Sequence, residues 1–543
     1  MSDKKAFFRL GFKQIRVFAG VAAAVIFGVG TAFAGTPRPG GTLSAILNPE
    51  PVTLTPVVNM AQPTQVVAGN VFDGLVYYDR DLTPKPALAE SWEVSPDGLR
   101  IVFRLRKGVK WHDGKPFTAA DVKWSLENLW KTIHPRNKPL FESVESVETP
   151  DEHTVILSLS KPSLPILSVI NGVGSVILPK HLYDGTDLLN NPYNNQPVGT
   201  GPFVFKEWKR GEYVLLEKNP DYWDKGKPYL DRIVFRVIPD ASARAAALEK
   251  GEVQYAPYNP VPFRDVDRLT RLPHLKVETR GYEWLSPLLY MDFNLANPYL
   301  KDVRVRRAIA HAVDLAALAK IVWFGYALPA ISPVPSTLPT FFNPDVPRYA
   351  YDLKKAEALL DEAGFKRGAD GTRFTITHDF LPYGDDYLHT GEFLKQALKR
   401  VGIEVTIRTQ DSAAFIKRVY ADADFDTNNT YNNAFPDPQI GVVRAYWSGW
   451  FKTGTAWTNA SGYKNAEVDS LIESTGVEGN PEKRIANLKR FQEIILRDLP
   501  SLPLLELHFF TIHSANLQDV VVQGDQVYSS LKHLWFSEDP AQK

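Results

Sequence analysis

Apolar and polar residues alternate over Ile101-Val102-Phe103-Arg104-Leu105-Arg106, as in a strand with one face buried. Ser95-Pro96-Asp97-Gly98 precedes it as a turn, with Pro pre-setting φ and Gly free to adopt φ > 0. Trp111-His112-Asp113-Gly114 follows as a second turn. Thr118-Ala119-Ala120-Asp121 then has capping-box spacing and opens a helix with Val122, Leu126 and Leu129 on one face. The same two periods interleave along the rest of the chain. Strands are expected at residues 41–47, 213–217, 232–237, 289–294 and 403–407, with an extended apolar segment at 499–505. An Ala-rich helix is expected over 240–248, others after Asp302, Asp352 and Asn480-Pro481, these three begun by a capping side chain, and one over 391–400. Alternating strands and helices with no fixed-period repeat predict mixed α/β layers.

Composition narrows the function classes. Lys+Arg and Asp+Glu both number 62, so the formal net charge is zero. No overall basic field exists for nucleic acid, and no polybasic tail for an anionic membrane. The chain has no cysteine, which excludes disulfides, thiol nucleophiles, Cys-based metal sites and a lipid-bearing N-terminal cysteine. Lys4, Lys5, Arg9, Lys13 and Arg16 precede an apolar run over 17–30, and Ala32-Phe33-Ala34 has the small-x-small form of a cleavage site. These predict a signal peptide over 1–34, a mature chain from Gly35 and a freely diffusing product in the periplasm. A single membrane anchor is the alternative.

Catalytic signatures are absent. There is no Gly-x-Ser-x-Gly, His-Glu-x-x-His or dinucleotide glycine fingerprint. The 11 His residues are scattered, with no pair at metal spacing, so neither a metal nor another cofactor is expected. His112 reads as a structural hydrogen-bonding group of its turn, and His508 and His513 as surface or hinge residues. Pro197-Val198-Gly199-Thr200-Gly201-Pro202-Phe203 reads as a sharp connection rather than a phosphate cradle, having no Lys and no following helix signal. A periplasmic hydrolase stays as a remote alternative.

Residues 90–127, ESWEVSPDGLRIVFRLRKGVKWHDGKPFTAADVKWSLE, closely resemble the signature of the family 5 extracytoplasmic solute-binding proteins, the peptide and nickel receptors of ABC importers. Segments 197–203, 219–223, 302–310 and 499–505 resemble family segments that recur in this order. The resemblance implies an α/β, two-lobe periplasmic-binding-protein fold of type II with an extra inserted domain and the ligand cleft between the lobes. It places the N-terminal lobe at 35–78, 196–300 and 506–543, the inserted domain at 79–195 and the second lobe at 301–505. It also implies a monomeric receptor that closes on a small peptide or similar solute and delivers it to an ABC permease in the inner membrane, without nucleic acid.

The resemblance points to a ligand-facing strand before Asp437-Pro438, with Tyr431, Asn432, Asn433, Ala434 and Asp437 as candidate ligand-binding residues. Dipeptide receptors hold the ligand ammonium with an aspartate at the position of Ala434 and stack a Trp at that of Tyr431. Their carboxylate-binding arginine falls near Leu381. A buried ammonium without a partner costs several kcal/mol. Either Asp379, Asp385, Asp386 or Glu50 replaces the missing charge, or the ligand is not a simple free-amine dipeptide. Tyr431, Phe435, Tyr446, Trp447, Trp450, Phe451 and Trp457 crowd one stretch, which keeps open an oligosaccharide or an opine or other amino-acid conjugate as ligand; core packing is the competing use of each ring.

Overall fold

The computed structural model describes residues 36–537 apart from 58, 135 and 136. The expected signal peptide lies outside the described residues. No helix among the described residues is long and apolar enough to cross a membrane.

Three sheets organise the chain. A seven-stranded sheet runs in the order Leu275–Glu278, Thr511–Ser514, Tyr255–Ala256, Thr42–Leu47, Arg232–Val237, Tyr213–Lys218, Phe203–Lys209. Thr42–Leu47 at its centre is parallel to both neighbours, as expected of strands joined through long crossovers. A six-stranded sheet runs Ala327–Pro329, Ser501–Leu507, Pro287–Phe293, Thr427–Asn433, Phe374–Phe380, Ile403–Arg408. Two adjacent interior strands, Pro287–Phe293 and Ser501–Leu507, are buried along their whole length, which explains their near-continuous apolar sequences. A four-stranded antiparallel sheet, Ala89–Val94, Arg100–Leu105, Thr154–Leu159 and Val144–Asp151, contains the signature strand.

The chain leaves the six-stranded sheet at Leu507 and enters the seven-stranded sheet at Thr511, so residues 508–510 join the two sheets. A second short connection runs from Glu278 to Pro287. Asn259 clamps the first connector, with its backbone N–H donating to the Phe510 carbonyl (3.0 Å) and its side-chain oxygen accepting from the Phe510 N–H (2.9 Å).

Local readings meet particular contacts here. The side chains of Asp240, Asp302, Asp352 and Asn480 each accept a backbone N–H in the first turn of their helices. Thr118 and Asp121 form the capping box at the start of Ala119–Ser125. His112 bonds outside its own turn: Nε2 meets the Gly201 carbonyl (3.0 Å) and Nδ1 accepts from the Gly199 N–H (3.2 Å). Burial lowers its pKa to about 4, so it stays neutral and can accept at Nδ1. That tie fastens the signature to the Pro197–Phe203 loop. The loop needs its glycines because it runs against the helix Gln62–Val71; a Cβ on Gly199 would lie 1.9 Å from the Val71 carbonyl oxygen.

The strand read near 289–294 forms as Pro287–Phe293 and is hydrogen-bonded into the six-stranded sheet on both edges. Two expectations are corrected. His513 is buried in the seven-stranded sheet rather than at the surface. The helix expected over 391–400 begins at Asp385, because Gly391 is not a start signal; it lets the helix approach His378, whose Cδ2 would lie 3.1 Å from an added Cβ.

Candidate functional site

A cavity of about 1580 Å³ is lined by residues following Thr42–Leu47 and Tyr255–Ala256 on one side, and by the end of Thr427–Asn433 and the start of helix Asp385–Lys399 on the other. It therefore opens at carboxyl ends of strands, where α/β sheets offer loops for recognition. Its volume exceeds the roughly 300–1,000 Å³ of common small-molecule sites.

A chain of rings crosses its floor. Tyr431 stacks on Tyr387 (5.8 Å, 27°) and meets the edge of Phe509 (5.8 Å) in the connector. Phe509 packs on Tyr258 (5.1 Å), which stacks on Tyr528 (6.2 Å). The Tyr528 hydroxyl donates to that of Tyr258 (3.4 Å), so the rings join residues of the six-stranded sheet to residues beside the seven-stranded one. Tyr258, Asn259, Phe324, Phe435 and Trp457 all line the cavity and all have φ between 51° and 66°. Left-handed backbone in non-glycine residues is disfavoured, and its concentration here marks walls shaped for something other than stability.

Tyr431, Asn432 and Asn433 line the cavity. The Asn432 amide donates to the Gly441 carbonyl (2.6 Å), fixing its orientation. Asn433 Oδ1 is buried without a hydrogen-bond partner, leaving an acceptor open to a ligand N–H or O–H. Ala434 and Asp437 do not line it. Ala434 is 1% exposed, and its N–H donates to Ser286. Asp437 gives both oxygens to Arg484 (2.6 and 2.8 Å) and caps the short helix Pro438–Gly441. The Asp-Pro corner follows the strand Thr427–Asn433 and turns its carboxylate into the core.

The four alternative carboxylates also divide. Asp379 is fully buried and pairs with Arg408 (2.6 Å) and Arg418 (3.2 Å). Glu50 accepts from the Trp208 indole and the Gly211 N–H. Asp385 and Asp386 line the cavity, and burial raises Asp386 to about 6. Leu381 is buried outside the lining. Of the seven rings, Tyr431, Phe435 and Trp457 face the cavity; Tyr446 is buried with its hydroxyl on Ser501 (2.8 Å). Tyr258, Phe509, Tyr528 and Arg444 were not anticipated. Only Asn259-Pro260, a turn signal beside Tyr258, hinted at one of them.

Residues 83–466 match the model of the bacterial extracellular solute-binding proteins, family 5, middle region. The chain is 28% identical over 489 residues to the glutathione-binding protein GsiB of Salmonella choleraesuis, covering 86% of this chain and 89% of that one. The oligopeptide-binding protein AppA of Bacillus subtilis, solved with a nonapeptide, superposes with a TM-score of 0.76 at 26% identity over 93% of this chain and all of that one. AgaA of A. tumefaciens R10, solved with agropinic acid, superposes with a TM-score of 0.74 at 27% identity over the same shares.

Proposed function

We propose, for a chain that belongs to the family 5 bacterial extracellular solute-binding proteins, the role of periplasmic receptor for short peptides or amino-acid conjugates, handing its solute to an ABC permease in the inner membrane. The observation that carries this reading is the ring chain Tyr387–Tyr431–Phe509–Tyr258, contributed from both sides of the cavity, with the open acceptor of Asn433 beside it. Rings supply contact area with little entropy loss, and the amide reads a peptide group. The seven- and six-stranded sheets are read as the two lobes, the four-stranded sheet as the inserted domain, and residues 508–510 as part of the hinge.

The cavity of about 1580 Å³ exceeds common small-molecule sites, so a longer peptide or a conjugate fits better than a simple dipeptide. Relatives named for a nonapeptide and for agropinic acid support that breadth. The receptor binds without turnover, acts as a monomer and begins at Gly35 after export. A thermal-shift screen of the mature protein tests the reading, because ligand bound only to the folded state stabilises it by RT ln(1 + [L]/Kd). Short peptides or amino-acid conjugates should raise Tm. Large shifts from oligosaccharides alone would overturn the peptide reading.

A further inference from the structure

Arg444 is a cation in the cavity wall for which the protein supplies no counter-charge. It lines the cavity, yet among the described residues no carboxylate oxygen lies within 4.0 Å of its guanidinium. Its one hydrogen bond within the protein runs from Nη2 to the Ala456 carbonyl (3.1 Å), and the Trp450 ring centroid lies 5.8 Å away. Nε is buried with no partner. Other buried arginines show what a structural guanidinium looks like here. Arg244 donates to the carbonyls of Pro260, Ile238 and Pro239; Arg306 to those of Leu499, Leu300, Lys301 and Asp498; Arg484 to Asp437 and Thr475. Arg444 alone among these keeps its Nε unmet.

The groups acting on it are neutral. The Tyr290 and Tyr420 hydroxyls are the ionisable groups acting on it, and burial holds both protonated. Tyr290 OH is itself buried without a partner. Tyr290 faces Thr430 across the ladder, one residue before Tyr431. Asn432, two residues beyond Thr430 on the same face of the strand, also lines the cavity. A cation in the cavity wall with no counter-charge from the protein is suited to an anion.

We propose that Arg444 anchors a carboxylate of the bound solute, so that the receptor selects solutes carrying a free acid. This rests on the reading of the cavity as the receptor site and adds the charge its solute must bear. The guanidinium fork matches a carboxylate in shape as well as charge, which a lysine ammonium does not.

Calorimetric titration of the mature protein tests it, using glutathione, a free-acid nonapeptide, agropinic acid, a uronic-acid oligosaccharide and a carboxamide counterpart of each. Against the wild type, the acid of a binding pair should be favoured roughly tenfold to hundredfold over its amide. Arg444→Met should lose that preference while keeping an unchanged or higher Tm without solute, because it removes an uncompensated buried charge. Arg444→Lys should recover only part of the preference. Equal binding of acid and amide, undiminished acid binding by Arg444→Met, or failure of every acid to bind overturns the inference. Peptides that bind regardless of amidation leave the peptide reading standing and sink this one. A uronic-acid oligosaccharide that binds through Arg444 while no peptide or amino-acid conjugate binds does the reverse.

Discussion

Asp437 and Arg484 form a two-pronged ion pair inside the protein, Nη2 to Oδ1 at 2.6 Å and Nη1 to Oδ2 at 2.8 Å. Asp437 also accepts the Gln439 N–H, and Arg484 Nε donates to the Thr475 carbonyl, so both groups are satisfied without solvent. The pair staples the corner after the strand Thr427–Asn433 to the long helix Pro481–Asp498. Removing one partner leaves the other buried and uncompensated. Asp437→Ala should therefore lower stability by about 3–5 kcal/mol in chemical denaturation. A joint Asp437→Leu, Arg484→Met variant should recover much of that loss. A single variant as stable as the wild type would show that the pair is not desolvated in solution.

Ala434→Asp tests the same corner differently. Were Ala434 at the solute, a carboxylate there would strengthen binding of a free ammonium. The structure puts it 1% exposed, with its backbone packed so closely on Gly441 that a Cβ added to that glycine would lie 2.6 Å from the Ala434 carbonyl oxygen. The new side chain should instead be buried unpaired and lower Tm, with stability falling by roughly 2–5 kcal/mol. Tighter binding of glutathione with an unchanged Tm would contradict this placement.

Tyr431→Ala should weaken binding of a peptide that stabilises the wild type by about 1–3 kcal/mol, the range of a buried aromatic anchor. Tyr431→Phe should keep most of that affinity, since stacking on Tyr387 needs only the ring. Asn433→Ala should cost roughly 1–3 kcal/mol by leaving a ligand donor unmet. Calorimetry reads all three; unchanged affinity in both alanine variants would take this strand out of the site.

Stability should depend on pH through buried carboxylates. Burial raises Asp292 from 3.8 to about 7, opposed only by a 3.4 Å bond from Asn428. The native state thus holds a proton that the unfolded chain releases, and stability falls as pH rises from about 4 to 7. Asp73 and Asp386, each raised to about 6, act in the same sense over a narrower window. Asp292→Asn should flatten this slope and be more stable than the wild type at pH 8 by roughly 1–4 kcal/mol. Urea melts at pH 5 and pH 8 measure it, and a steeper fall in the variant would reverse the assignment.

Local chemistry was legible wherever it is written in adjacent residues. Asp302, Asp352 and Asn480 cap helices because each needs only its own next turn. Tyr431, Asn432 and Asn433 were found through a motif on one strand. Tyr258 and Phe509 were not, because they meet Tyr431 through a connector from a distant part of the chain. Arg444 was invisible for another reason: an arginine reveals itself as unpaired only once its surroundings are known. Gly391 misled because a helical glycine at a close approach looks like a boundary.

The central claim is that this cavity receives a short peptide or amino-acid conjugate. The most direct measurement is mass spectrometry of the small molecules released on denaturing mature protein purified natively from the periplasm. A peptide or amino-acid conjugate bearing a free carboxylate, recovered at close to one per protein, is the predicted result. Recovery of a neutral oligosaccharide in that proportion would contradict it.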